Sequence, residues 1–235
     1  MNSKLSTYPT TISLELSQQF GSVAMMNGTG ETKVERVHVN NQEVDEVLPT
    51  IDMVSKKLEI VPQNIELVVV SIGPGGFTGL RTSTAISKMI ALASGAKIVP
   101  VESAISIANQ SNVGDGPFFV ISSVKDDSFW LSLVTKIDGE WVCKSKNTST
   151  QSISENIGNI HTVFADEYLP EETKIMIEQH GVPILPSKTD ALTLLRIGVG
   201  LYKEGKTIDP TVLLPMYPRV PEAVRVWKTR HPNNP

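Results

Sequence analysis

Residues 71–89 read SIGPGGFTGLRTSTAISKM, with four glycines and a proline in the seven positions 73–79, between an apolar run and a stretch of helical spacing. Two kinds of structure want such a loop. A phosphate cradle needs backbone N–H groups converging on one anion, which glycines permit through positive φ and close approach, and it gains from a helix N-terminus aimed at the ligand. A packing loop needs the same glycines so that two stretches of backbone can touch. The spacing is not GxxxxGK[ST], because Leu80-Arg81 follows Gly79, and not GxGxxG, because Gly73, Gly75 and Gly79 fall as GxGxxxG. In the helix that follows, Leu80, Ile86, Met89, Ile90 and Ala93 form an apolar face, and most of the rest is Ser, Thr and Ala, interrupted only by Arg81 and Lys88. A helix that is apolar or small nearly all round is covered on two sides. One cover is its parent sheet. The other is a second domain or another protein, and the spacing does not choose.

Upstream of the loop, IELVVVSI (65–72) reads as a buried strand from its β-branched content. TTISLELS (10–17), GSVAMM (21–26) and KVERVHVN (33–40) read as three consecutive strands, with the first hairpin turning around Gln18–Gly21 and a Gly-rich turn at Asn27–Gly30. Between them and the loop, Val44, Val47, Leu48, Ile51, Val54 and Leu58 predict a helix over 42–58, kinked or restarted at Pro49. Downstream, the helix of about 78–94 stops at Gly95 and a strand KIVPVE (97–102) follows. The order β-β-β-α-β-α-β is that of the ribonuclease H-like half-domain of actin-type ATPases, one of several α/β topologies it fits. The second half is less regular. We expect a short helix at 103–110, strands at 116–124, 128–137, 140–147 and 161–167, and helices at 170–181 and 189–205, with VPILPS (182–187) between the helices. Turns are expected at Asp126-Asp127 and Asp138-Gly139, and no internal repeat is visible by eye. The prolines at 210, 215, 218, 221, 232 and 235 predict an extended tail.

The chain has 235 residues, 40% apolar and 20% charged, which suits one large or two small globular domains. A formal charge of −4 argues against free-standing nucleic-acid binding. From Met216 onward the balance reverses, with Arg219, Arg225, Lys228 and Arg230 against Glu222. We read that as a solvated basic tail. One cysteine, Cys143, excludes an intrachain disulfide and a cysteine-based zinc site, and suits a reducing cytoplasm. The N-terminal MNSKLSTYPTT lacks a signal-peptide core, and the longest apolar runs are strand-sized. The expectation is a soluble cytoplasmic protein with no membrane segment.

No other constellation carries chemistry. His38, His161, His180 and His231 are far apart and none forms HExxH, so no metal site and no peptidase is expected. No GxSxG elbow is present, and Cys143 lies in a strand-like run where packing is its role. Asp126-Asp127 reads as a turn former, Trp130 and Trp141 as packing across neighbouring strands, and Trp227 as an anchor of the tail on its own domain.

GPGGFTGLR (73–81) followed by an Ala/Ser/Ile-rich helix and GAKIVPVESA resembles the signature of the TsaB (YeaZ) family, the bacterial partners of TsaD in making threonylcarbamoyladenosine on tRNA. GSVAM (21–25), Leu48-Pro49 and the closing LPMYPRVPEA (214–223) carry further likeness, and the clearest match covers about 12–105. Gly76 stands where the family usually has Ser, Glu15-Leu16-Ser17 where it usually has Asp-Thr-Ser, and Glu43 where many relatives have His. The resemblance implies an α/β actin-like ATPase, ribonuclease H-like fold of two related subdomains, the second degenerate. On that basis we divide the chain into an N-terminal subdomain (1–102), a C-terminal subdomain (103–205) and a tail (206–235).

It further implies a non-catalytic accessory protein, with no catalytic residue, no metal and no cofactor of its own, nucleotide being held only at a complex interface. Its partner would be a TsaD-like protein, with a TsaE-like ATPase as a further one and tRNA met only through the complex. By position, the partner-facing helices are 42–58 and 78–94. The residues expected at the contact are Val44, Val47, Ile51, Leu80, Arg81 and Ile86, with the loop Gly73, Pro74, Gly75, Gly76, Phe77, Thr78 and Gly79 allowing close approach. Homodimerisation through the same faces is the substitute when the partner is absent. The rival readings are an actin-like kinase or ATPase using Glu15 for metal and Gly73–Gly79 for phosphate, and a repurposed binding module of the same fold.

Overall fold

A computed structural model describes residues 7–18, 20–37, 46–111, 113–125, 128–217, 227, 230 and 231. The predicted turn Asp126-Asp127 and the partner residue Val44 lie outside them, as do His38, Glu43 and most of the basic tail.

Strands β1 (Thr11–Glu15), β2 (Gly21–Met26) and β3 (Thr32–Val37) form an antiparallel meander. β4 (Leu67–Gly73) and β5 (Lys97–Glu102) then add in parallel on the far side of β1, giving the order β3-β2-β1-β4-β5. Helix α1 (Val47–Lys57) connects β3 towards β4, and α2 (Phe77–Ser94) connects β4 to β5. Gly95, at φ 78°, ends α2 in the left-handed conformation, its N–H donating to the Ala91 carbonyl. Pro49 falls in the first turn of α1, where the missing N–H would have no helical partner anyway, so it neither kinks nor restarts the described helix.

After α3 (Ser103–Ser111) the plan repeats. β6 (Phe118–Lys125), β7 (Ser128–Ile137) and β8 (Glu140–Thr148) form a second meander, and β9 (Thr162–Ala165) and β10 (Ile184–Pro186) add in parallel beside β6. The order β8-β7-β6-β9-β10 is strand for strand that of the first sheet. Helices α4 (Thr150–Asn156) and α5 (Glu171–Gln179) take the places of α1 and α2. The second copy is the reduced one, with only three residues in β10 and seven in α4. Two mixed five-stranded sheets of this order make the actin-like ATPase fold.

Each sheet is covered on both faces. In the first, Ile12, Leu14, Val23, Met25, Val68, Val70 and Ile98 pack under α1 and α2. On the reverse face Leu67, Val69, Val99 and Val101 meet Leu194, and Ala24 and Met26 meet Ala191 and Leu195, all from α6 (Ala191–Lys203). β1 therefore alternates apolar and polar in sequence yet is buried throughout, and its polar set Thr11, Ser13 and Glu15 lies on the α6 side. In the second sheet Phe119, Ile121, Phe129 and Leu131 pack with Ile153 of α4 and Ile177 of α5, while Phe118, Val120 and Phe164 pack with Ala104 and Ile107 of α3. The chain then returns to the first sheet. Ile208 bridges Ile98 on the edge strand β5, Leu213 is buried in the first core, and the Met216 N–H donates to the Ile72 carbonyl at 2.6 Å.

Candidate functional site

The glycine loop leaves the C-terminal end of β4 and runs into the first turn of α2, directly over the turn that joins β1 to β2. The Gly76 N–H donates to the Ser17 carbonyl at 2.8 Å. A Cβ on Gly75 would stand 2.4 Å from that same oxygen, and one on Gly79 would stand 1.9 Å from the Leu16 carbonyl oxygen. Both approaches are closed to any side chain, and what occupies the space is the chain's own backbone. The tail closes the other side. The Met216 carbonyl lies against Gly73, Tyr217 packs on Phe77 with ring centroids 4.9 Å apart, and the Arg81 guanidinium sits 5.2 Å from the Phe77 centroid. Gly75 and Gly79 are thus used in packing on the chain's own backbone.

Glu15 completes this end of the sheet. Its side chain is fully enclosed, and Oε1 accepts hydrogen bonds from both the N–H (2.7 Å) and the hydroxyl of Ser17, while Oε2 is buried without a hydrogen-bond partner. Burial pushes its carboxyl above the ordinary range, and the negative charge of Asp190 adds to that. The Ser17 hydrogen bonds and the nearby Ser71 hydroxyl act the other way without reversing it. An enclosed carboxyl held in this way does not fit the role of a metal-holding acid in an actin-type nucleotide site. Around it, hydroxyls tie the first sheet to α3 and α6, and α3 to the segment that leads into α6. Ser71 bonds Ser103 at 2.7 Å, the Ala191 N–H donates to Ser22 at 2.8 Å, and Ser106 bonds Thr189.

The residues expected at a partner contact divide sharply. Val47, Leu80 and Ile86 are buried against the chain's own sheet, with Leu80 wholly enclosed, and Ile51 is half-buried on the same core. The sheet already takes most of the stripe they form, and of the four Ile51 keeps the most surface open. Arg81, Phe77, Thr78 and Gly76 are exposed and Pro74 is buried. The open faces carry residues that the sequence reading did not choose for the contact: Leu48 and Met53 on α1, and Met89 (67% exposed) and Leu92 (71%) on α2. On α2 the exposed line Arg81, Ala85, Met89, Leu92 follows helical spacing, which is the signal that could have found them.

Elsewhere, burial pushes the Cys143 thiol up to about 12, with Glu102 contributing, so it is held as the thiol. His180 caps its own helix through the Met176 carbonyl at 2.8 Å, and His231 stacks on Trp227 with centroids 4.9 Å apart. Among the described residues no group of three or more His, Cys, Asp or Glu could hold a metal, and no helix is long and apolar enough to cross a membrane.

Residues 37–177 match the family described as "TsaD: tRNA N6-adenosine threonylcarbamoyltransferase". A curated relative, the tRNA threonylcarbamoyladenosine biosynthesis protein TsaB of Buchnera aphidicola subsp. Baizongia pistaciae (strain Bp), is 23% identical over 141 residues, covering 58% of this chain and 63% of the relative, just under two thirds of its length. Two solved structures from Pseudomonas aeruginosa share the fold at 16% identity. One, described as similar to the peptidase YEAZ, has a TM-score of 0.74 over 90% of this chain and 100% of its own. The other, YeaZ, has a TM-score of 0.71 over 89% of this chain and 99% of its own.

Proposed function

The chain belongs to the family described as "TsaD: tRNA N6-adenosine threonylcarbamoyltransferase", and from its likeness to TsaB we propose that it is a non-catalytic accessory protein of tRNA N6-threonylcarbamoyladenosine formation, one that binds and activates a TsaD-like transferase in the cytoplasm. The observation that carries this reading is the exposed outward face of α2, with Met89 and Leu92 open towards its C-terminal end, while Gly75 and Gly79 at its start are already used against the protein's own backbone. The likeness to the Buchnera TsaB supports it. Docking would bury α1 and α2 through Leu48, Met53, Ala85, Met89 and Leu92, with Arg81 and Phe77 at the loop end. An interface of roughly 1,600 Å² would suffice. tRNA and a TsaE-like ATPase would meet the chain only within that complex, and two copies would pair through the same face when the transferase is absent.

In mechanistic terms the chain supplies a surface. The sheet holds α1 and α2 rigidly, the loop and tail fix where α2 begins, and the partner gains a preordered face against which its own site can close. The kinase or ATPase reading needs Glu15 at a metal, and its enclosure opposes that.

The test is co-purification with the TsaD homologue of the same genome. Met89→Asp and Leu92→Asp are expected to weaken capture by at least about 30-fold, the effect of a hot-spot loss near 2 kcal/mol, with Tm unchanged. Ile86→Asp is expected to unfold the chain, since it places a charge in the core. Wild-type binding that survives both surface charges would overturn the α2 face, and no binding by wild type would overturn the partner.

A further inference from the structure

Glu15 takes no part in the outward helix faces, yet a continuous line of contact runs from it to where α2 starts. Glu15 ends β1 and holds both Ser17 donors on one oxygen. The Ser17 carbonyl takes the Gly76 N–H, and the Leu16–Ser17 backbone is the surface on which Gly75 and Gly79 lie. Gly76 is the N-cap of α2 and Phe77 its first residue. The geometry points to Glu15 as the positioning residue of the glycine loop: it fixes the Leu16–Ser17 turn, the turn fixes the loop, and the loop fixes the start of α2. This rests on the docking reading only for what α2 then meets; the positioning concerns the chain alone.

The position demands an acceptor of two hydrogen bonds at a single oxygen, in an enclosed place. A carboxylic acid or an amide meets that demand, and alanine leaves two buried donors of Ser17 unpaired. Three groups face the carboxyl: Ser17 from its own turn, Ser71 from β4, and Asp190 from the head of α6. Asp190 is the charged one and is of like sign. Among the described residues no cation forms an ion pair with Glu15. A second charge at Glu15 would be desolvated and repelled, so ionisation loosens the turn and makes the loop respond to pH.

The experiment is amide hydrogen exchange on the full chain, comparing peptides from the loop with peptides from β6 and β7. For Glu15→Ala the loop is expected to exchange faster by roughly tenfold or more while β6 and β7 keep their wild-type rates, and Glu15→Gln is expected to stay within about twofold of wild type. As pH rises, after correction for intrinsic exchange, the wild-type loop is expected to open progressively and the Glu15→Gln loop to stay level. Wild-type loop rates in Glu15→Ala, or equal acceleration in both sheets, overturn the positioning role. So does a wild-type loop rate in Ser17→Ala, which stands in if Glu15→Ala does not fold, whereas an identical pH profile for wild type and Glu15→Gln overturns the pH response. Capture of the TsaD homologue is measured separately. Its failure with wild type removes the docking reading and leaves the exchange result to judge Glu15.

Discussion

Gly79→Ala sets two physical effects against each other with opposite signs. Residue 79 lies in the first turn of α2, and helix propensity alone favours alanine over glycine by up to about 1 kcal/mol. The added methyl, however, would be placed 1.9 Å from the Leu16 carbonyl oxygen and 3.0 Å from its carbonyl carbon, where ordinary contact begins near 3.4 Å. About 1.5 Å must come from moving backbone on one side or the other, since no flexible side-chain end can yield. Overpacking costs about 1–3 kcal/mol and more when the main chain must shift, so the net loss is roughly 2 kcal/mol or greater. In a chain of this size that is a fall in Tm of about 4–8 °C. Gly76→Ser is the control: the nearest atom to its Cβ is 3.7 Å away and its φ is −61°, so its Tm is expected to stay within about 1 °C of wild type. Thermal unfolding followed by circular dichroism measures both. A Gly79→Ala protein with Tm at or above wild type would refute the packing role of the loop, because propensity would then be acting unopposed.

Three other outcomes follow from the same geometry. Gly198→Ala, deep in α6, would bring a methyl within 2.3 Å of a Val69 methyl, so despite the helix-propensity gain it is expected to lower Tm by several degrees; a rise would mean α6 is not seated on β4 as described. The raised carboxyl of Glu15 gives folding a stabilising contribution that is complete below its unfolded value, near 4.5, and is lost as pH rises through its folded value; Glu15→Gln should therefore gain Tm relative to wild type as pH increases, and parallel Tm-against-pH curves would exclude this. Cys143, with its thiol pushed up to about 12, should alkylate at pH 8 roughly a thousandfold more slowly than a free cysteine and at the ordinary rate once unfolded; rapid labelling of the native protein would contradict its burial.

Much of the first sheet was legible because its signals are local. The β-branched run of β4, the apolar spacing of α2 and Gly95 as its stop required no knowledge of the rest of the chain. The helix faces were harder. α2 carries two apolar stripes, one through Leu80 and Ile86 and one through Met89 and Leu92, and spacing alone cannot say which the sheet takes. The alternation of β1 does not tell that both its faces are covered: α6, more than 170 residues later, lies over the polar one, so the burial of Ser13 and Glu15 is set by a long-range contact. α4 and β10 escaped notice because TQSISEN has a single buried apolar residue, Ile153, and three residues of strand give no period. The duplication of the sheet lives in strand order, which sequence spacing does not record.

The return of α6 and residues 207–217 to the first sheet also bears on synthesis. Strands β1 to β5 leave the ribosome early, but the cover for Ala24, Met26, Leu67, Val69, Val99 and Val101 arrives only with α6, and Leu213 later still. Until then one face of a five-stranded sheet, apolar along β2, β4 and β5, lies uncovered, a surface that invites premature association. The second sheet, whose helices α3, α4 and α5 are close to it in the chain, can finish first. The half of the protein made first is thus the half completed last, and a nascent chain halted before residue 191 should be the species that chaperones hold.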